Sequence, residues 1–221
     1  MDKLLDEKTI REIRQTFAQM KEPVQILFFG SHDNCDYCTD TRQLLEEVAA
    51  LDEKLGLRIY NLQDDADMAD KFGVDKAPGI VIAANLDNQI TDFGIQYSGI
   101  PSGHEFSTLI NDILLVSNRD SGLSPKTREY LKNIEKPLLL QIFVTPTCPY
   151  CPRAVLLAHQ MAMENPKMIH AEGVEATEFP ELAQKFFVSG VPQTVINSGA
   201  AMVVGAVPEQ KLLAEIMRAV N

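Results

Sequence analysis

The chain has 221 residues, 45% of them hydrophobic, and a formal net charge of −11. At about 100 to 200 residues per domain, this length predicts two domains of roughly 110 residues, each with its own core. No apolar stretch reaches the roughly 18 residues of a membrane span, so we expect no membrane partner. An acidic chain is a poor partner for nucleic acid, so we expect no nucleic-acid partner either. The charged N-terminal sequence lacks the apolar core of a secretion signal, which predicts a cytoplasmic protein.

The first predicted unit, residues 1–117, opens with a helix whose apolar residues recur at helical spacing. A short β-rich apolar run follows, and behind it an amphipathic helix starts at the pair Cys35-Asp36-Tyr37-Cys38. The elements predicted for this unit are helix 6–20, strand 24–29, helix 36–54, strand 57–62, helix 65–72, strand 80–84, strand 90–97 and helix 102–115.

Residues 117–125 are rich in turn-forming residues and predict a linker. The second unit, residues 118–221, then repeats the order of the first around Cys148-Pro149-Tyr150-Cys151. Its predicted elements are helix 127–134, strand 138–144, helix 149–163, strand 168–175, helix 179–186, strand 194–197, strand 202–204 and helix 209–220.

All four cysteines of the chain fall in these two C-x-x-C pairs. A single C-x-x-C suits a structural zinc site as well as a redox dithiol. Each pair is embedded in its own strand–helix unit, and a cytosol keeps thiols reduced, so the pattern favours two catalytic dithiols over a four-cysteine zinc site or structural disulfides. We therefore expect neither a metal nor an organic cofactor.

A proline opens a strand at nearly the same interval after each dithiol. Ala77-Pro78 precedes strand 80–84, and Val191-Pro192 precedes strand 194–197. Because an X-Pro bond adopts the cis form at modest cost, we predict that both prolines are cis.

This order of strand, dithiol, strand, helix, proline-led hairpin and final helix resembles the thioredoxin fold. Two tandem units that both keep a dithiol resemble the two-domain, glutaredoxin-like protein disulfide oxidoreductase family. A more distant resemblance is to the N-terminal region of the alkyl hydroperoxide reductase flavoprotein subunit, which keeps only its second dithiol. The resemblance implies an α/β fold of two tandem thioredoxin-fold units, each a central mixed β-sheet flanked by helices.

The family resemblance also implies thiol–disulfide exchange on disulfide-containing protein clients, with a thioredoxin-reductase-like flavoprotein as a possible electron donor. The residues expected to contact the client are Tyr37, Ala77, Pro78, Tyr150, Val191 and Pro192. Glu175 ends a strand near the position where related proteins bury an acid beneath the dithiol. The matching position of the first unit is Asn61, which leaves the role of Glu175 open.

The roles of the four cysteines follow from their places at the two helix starts. A cysteine there faces free backbone N–H groups that stabilise its thiolate. Cys35 and Cys148 are therefore the expected nucleophiles, and Cys38 and Cys151 the resolving cysteines.

Charge predicts that the two sites are not equivalent. Acidic residues outnumber basic ones only in residues 1–117, and Asp33, Asp36 and Asp40 flank Cys35. Like charge disfavours a thiolate, so we expect Cys148 to be the more reactive cysteine.

Two other functions remain open at this point. The chain could be a redox-inactive holdase that binds unfolded proteins beside the prolines. It could also be a dedicated electron carrier between a flavoprotein reductase and a peroxidase. The net direction of exchange depends on reduction potentials, which the sequence does not fix.

Overall fold

The computed structural model describes residues 3–86 and 89–220, and its elements follow the predicted order in both units. The helices are α1 Glu7–Phe17, α2 Cys38–Ala49, α3 Ala66–Phe72, α4 Glu105–Asn118, α5 Pro125–Lys132, α6 Cys151–Glu164, α7 Pro180–Lys185 and α8 Glu209–Val220. The strands are β1 Val24–Gly30, β2 Leu55–Asn61, β3 Gly79–Leu86, β4 Gln89–Thr91, β5 Ile95–Ser98, β6 Leu138–Val144, β7 Ile169–Glu175, β8 Gln193–Ile196 and β9 Ala201–Val204.

Local sequence explains where several elements form. The Asp6 carboxylate accepts the Thr9 N–H at 2.7 Å and caps α1. Pro125 lies in the first turn of α5, where its missing N–H costs no hydrogen bond. β1 and β6 are apolar apart from one glutamine each and are buried along almost their whole length, so they lie in the interior of the sheet.

The nine strands of the described residues form one mixed sheet, in the order β2-β1-β3-β5-β7-β6-β8-β9, with β4 paired to β3. In each unit, the strand that leads to the dithiol has a parallel neighbour on one side and an antiparallel neighbour on the other. The parallel pair β5–β7 joins the units, with Ile95 opposite Ala171. The predicted mixed sheets are confirmed, and they are continuous with each other.

The two faces of the sheet are covered differently. On one face α1, α2, α4, α5, α6 and α8 pack into a single hydrophobic core that spans both units. On the other face α3 and α7 cover two smaller clusters, centred on Phe72 and Phe186. Within the part of the chain that is described, no helix is long and apolar enough to cross a membrane.

The predicted strand 90–97 is wrong in its middle, where the chain turns between β4 and β5. Gly94 has a φ of 70°, and its N–H donates to Asp92 Oδ1 at 2.7 Å. A Cβ at position 94 would lie 2.4 Å from the Ile169 carbonyl oxygen, so the close approach of β7 requires glycine there.

The predicted linker is also shorter than expected, because α4 continues to Asn118 and Arg119 ends it in the left-handed conformation. Of the residues that remain between α4 and α5, Ser121 and Leu123 are buried, so this connection packs against the core. The division of the chain after residue 117 stays a prediction.

Candidate active site

The first dithiol lies directly after β1, where Cys35 and Cys38 form a disulfide with a Cα–Cα distance of 5.4 Å. The helix α2 begins at Cys38, so the prediction that it begins at residue 36 is wrong: Asp36 and Tyr37 form a turn before it. Cys35 and Cys38 are both half-buried, and Tyr37 is exposed beside them. The first site is therefore open to solvent.

The second dithiol repeats this arrangement after β6, with a Cα–Cα distance of 5.5 Å between Cys148 and Cys151. Its helix α6 begins at Cys151, two residues later than predicted. Cys148 is only 7% exposed and Cys151 is fully buried, whereas Tyr150 is 64% exposed at the rim. The first N–H of α6, that of Cys151, donates to Cys148 Sγ at 3.2 Å. A free helix N–H thus reaches the sulfur, as the thiolate argument requires.

Both predicted cis prolines are confirmed, at Ala77–Pro78 and Val191–Pro192. The strand that follows each proline pairs with the end of the strand that leads to the dithiol: Gly79 is opposite Phe29, and Gln193 is opposite Phe143. Each proline therefore lies beside the dithiol of its own unit.

The acidic residues around the first dithiol, Asp33, Asp36 and Asp40, are all exposed. His32 Nε2 lies 2.7 Å from Asp64 Oδ2, and this pair is also exposed. Because salt screens exposed charges, these groups act on Cys35 through solvent.

Glu175 is buried at the end of β7, opposite Val144. Its Oε2 accepts hydrogen bonds from the Thr177 hydroxyl and the Glu178 N–H, both at 2.6 Å, while Oε1 has no partner among the described residues. Burial, together with the neighbouring Glu175, raises the pKa of Glu178 to about 7. Asn61 occupies the matching strand end of the first unit, so only the second unit has an acid at this position. The Asn61 Oδ1 accepts the N–H of Gln63 at 2.8 Å.

A second buried acid, Glu105 in the first turn of α4, was missed from the sequence. It is 3% exposed, its Oε2 accepts the Thr108 hydroxyl at 2.9 Å, and Oε1 has no partner among the described residues. Burial raises the pKa of the Glu105 carboxyl to about 7. The His104 N–H donates to the Pro146 carbonyl at 2.9 Å, so the start of α4 lies against the loop that carries the second dithiol.

The position of Glu105 relative to the second dithiol follows from the packing of α4 along α6. Asp112 Oδ2 lies 2.6 Å from His159 Nδ1 and also accepts the Tyr97 hydroxyl, and all three side chains are buried. Asp112 is about two turns beyond Glu105, and His159 is about two turns beyond Cys151. Glu105 therefore lies at the level of Cys151. The available signal was the run of polar residues at positions 105, 108 and 112 on the apolar stripe of the predicted helix.

The two dithiols lie at the same edge of the sheet but far apart along it. β1 and β6 both run parallel to the joining strands β5 and β7 and are separated by four steps in the strand order. At about 4.8 Å per step, the separation of the two strands is roughly 19 Å. The four cysteines therefore cannot bind one zinc ion, whose sulfur ligands lie at about 2.3 Å.

This spacing predicts the disulfides of the oxidised protein. We expect only Cys35–Cys38 and Cys148–Cys151, because a disulfide needs Cα atoms within about 7 Å. Mass spectrometry of peptides from alkylated, unreduced protein tests this, with a fully reduced sample as the control. A Cys35–Cys148 peptide as the main species would contradict the expectation.

Known proteins share this architecture. A family model described as a thioredoxin domain matches residues 138–218. The protein disulfide oxidoreductase of Aeropyrum pernix superposes with a TM-score of 0.89 at 33% identity, covering 99% of this chain and 95% of that one. The alkyl hydroperoxide reductase AhpF of Enterococcus faecalis superposes with a TM-score of 0.85 at 27% identity, covering 95% of this chain and 98% of that one.

A curated sequence gives a similar result over a longer protein. The corresponding alkyl hydroperoxide reductase subunit of Pseudomonas aeruginosa is 24% identical over 213 residues, which are 96% of this chain and 37% of that protein. The chain thus spans about a third of the length of the curated relatives it matches.

These similarities confirm the tandem thioredoxin fold and the resemblance inferred from the sequence. With its two C-x-x-C sites, the protein is a thiol–disulfide oxidoreductase. At 33% identity over nearly its whole length, the chain belongs to the protein disulfide oxidoreductase family.

Proposed function

We propose that the protein exchanges disulfides with protein clients, and that Cys148–Cys151 is the site that reacts with them. The observation that carries this proposal is the hydrogen bond from the Cys151 N–H to Cys148 Sγ. The buried acid Glu105 begins the helix whose start lies against the loop that carries this dithiol. A thiolate at Cys148 is stabilised by this N–H, and a carboxylate nearby is able to accept the proton of Cys151.

In the reducing direction, the Cys148 thiolate attacks one sulfur of a client disulfide. The client S–S bond breaks, and its second sulfur leaves as a thiolate that takes up a proton. Cys151 passes its proton to Glu105 and attacks Cys148 Sγ, which forms the Cys148–Cys151 disulfide and breaks the bond between Cys148 and the client. The first client sulfur leaves as a thiolate and takes up a proton, which Glu105 returns through solvent. The client gains two electrons and two protons, and the reverse sequence oxidises a client dithiol.

The client would lie along the groove between the dithiol and the proline of each unit. We assign its binding to the backbone of the residues before the prolines and to the exposed tyrosines: Tyr37, Ala77, Pro78, Tyr150, Val191 and Pro192. The first dithiol, Cys35–Cys38, would act more slowly or as a partner that returns electrons to the second. We place this activity in the cytoplasm, with a thioredoxin-reductase-like flavoprotein as the donor.

Insulin reduction by dithiothreitol separates this function from a redox-inactive holdase. We expect the protein to shorten the lag before reduced insulin precipitates, and a variant with all four cysteines changed to serine to lose that effect. If both proteins left the lag unchanged, or only delayed precipitation, a holdase would be the better description.

Electron transfer to a peroxidase is the second candidate, favoured by the match to alkyl hydroperoxide reductase subunits over almost the whole chain. The matched region is about a third of those curated relatives. Peroxide consumption with a purified flavoprotein reductase and a peroxiredoxin, with and without this protein, measures it directly.

A further inference from the structure

The loops that lead to the two prolines correspond position by position, at a constant offset of 114 residues. In the first unit, the Gly73 N–H donates to the Asp70 carbonyl at 3.2 Å and the Val74 N–H to the Ala69 carbonyl at 2.9 Å. In the second, the Phe187 and Val188 N–H groups make the matching bonds to Gln184 and Ala183, at 3.0 and 2.9 Å. Both loops thus close α3 and α7 with the same Schellman arrangement.

At one position of this repeat, the second unit has a residue that is unusual for its backbone conformation. The corresponding residue just after the helix is left-handed in both units, with φ of 66° at Gly73 and 51° at Phe187. Glycine is the usual residue here, because an L side chain is strained in this conformation by about 1 to 2 kcal/mol. Phe187 is, in addition, 85% exposed to solvent. The second unit thus keeps a strained and solvated phenylalanine where the first unit has the expected glycine.

Phe187 lies on the wall of a groove of about 710 Å³ in the second unit. Thr145 and Val191 also line this groove. The Thr145 carbonyl accepts the Cys148 N–H at 3.1 Å, and Val191 precedes the cis proline. None of the described residues that line the groove is charged, although the chain has a net charge of −11.

The matching loop of the first unit is charged. Asp75 and Lys76 occupy the positions of Ser189 and Gly190, and Lys76 Nζ lies 2.9 Å from the buried carboxylate of Glu172. At Gly190, by contrast, a Cβ would meet nothing within 4 Å. The second loop is therefore open and neutral where the first is charged and anchored to β7.

We infer that Phe187 and this groove bind a large uncharged side chain that lies next to the reactive cysteine of a client, and so select clients for the second site. Thr145, which lines the groove, accepts the Cys148 N–H, and the lack of charge in the groove complements an apolar segment. A strained, exposed aromatic residue beside an active site is the kind of outlier that marks a binding role. The inference rests on the proposed function, because it needs protein clients that react at Cys148.

The test is the selectivity of a Phe187→Gly variant, which gives the second unit the residue of the first. The probes are two synthetic peptides, each in a mixed disulfide with glutathione, one with leucine and phenylalanine beside its cysteine and one with serine and aspartate. Both are assayed in a Cys35→Ser, Cys38→Ser background, so that only the second site reacts. Phe187→Leu keeps an apolar side chain, and Met217→Ala changes an exposed apolar residue of α8 outside the groove.

We expect Phe187→Gly to lower the ratio of kcat/KM for the apolar peptide to that for the polar peptide about tenfold, through KM. A tenfold change corresponds to about half of the free energy gained when a phenylalanine side chain is fully buried. Phe187→Leu should keep most of the ratio and Met217→Ala all of it. Thermal unfolding should show that Phe187→Gly is at least as stable as the parent, because glycine relieves the strained φ. An unchanged ratio in Phe187→Gly overturns this inference alone, whereas failure of the parent to react with either peptide overturns the proposed function as well.

Discussion

Replacing Cys148 by serine should lower kcat/KM for reduction of a protein disulfide at pH 7 at least tenfold, whereas Cys35→Ser should lower it less than about twofold. Cys148 Sγ accepts a hydrogen bond from the first N–H of α6, and its neighbours Thr147 and Pro149 are uncharged. Cys35 has three aspartates within five residues. A difference of about 1.4 kcal/mol in thiolate stabilisation is a factor of ten in the thiolate population.

The two variants serve as matched controls for each other, because each removes one nucleophile and leaves the other unit intact. Insulin reduction gives the rates, and alkylation by iodoacetamide across pH gives the thiolate population of the remaining nucleophile. The ranking fails if Cys148→Ser keeps most of the activity, or if Cys35 is alkylated at lower pH than Cys148.

Glu105→Gln should slow client turnover at pH 7 by at least tenfold and remove an inflection near pH 7 from the pH profile. The reason is that glutamine cannot accept the proton of Cys151, and positioned acid–base groups contribute about 10²- to 10⁴-fold. The pKa of about 7 makes Glu105 able to exchange a proton at neutral pH. Glu129→Gln, which changes an exposed acid on α5, is the control and should leave the profile unchanged.

The same substitution should change how stability depends on pH. The folded-state pKa of Glu105 is raised from 4.5 to about 7, so the folded protein binds the proton more tightly than the unfolded chain. Its contribution is complete below pH 4.5 and is lost as the pH rises through 7, a change of about 3 kcal/mol in the free energy of unfolding. Denaturant unfolding of Glu105→Gln should therefore show a smaller loss of stability between pH 4.5 and 8 than wild type. Parallel curves for the two proteins would show that Glu105 does not titrate in this range.

The parts of the fold that were predicted correctly are those that local sequence specifies. The buried runs of β1 and β6, the dithiols that follow them and the prolines before β3 and β8 all leave short-range signals. The bounds of β6 and α8 agree with the predicted ranges 138–144 and 209–220. The starts of α2 and α6 were placed too early, because the residues between the cysteines form a turn that the apolar pattern does not reveal.

The parts that were missed depend on contacts between residues distant in sequence. The pairing of β5 with β7, which joins the sheets, involves residues more than 70 positions apart, and no periodicity encodes it. Glu105 belongs by sequence to the first unit, and α4 packs along α6 with its start against the loop that carries the second dithiol. The exposure and the left-handed conformation of Phe187 are set by the fold of its loop, and no sequence pattern encodes them.

The most direct measurement of the central claim, that Cys148 is the cysteine that reacts with clients, is to trap the mixed disulfide. Changing both resolving cysteines, Cys38→Ser and Cys151→Ser, leaves Cys35 and Cys148 competing in one protein for a client disulfide. After quenching with acid and digestion, mass spectrometry identifies the cysteine that carries the client peptide. We predict that most of the trapped client is attached to Cys148; attachment mainly to Cys35, or no covalent complex at either cysteine, would contradict the account.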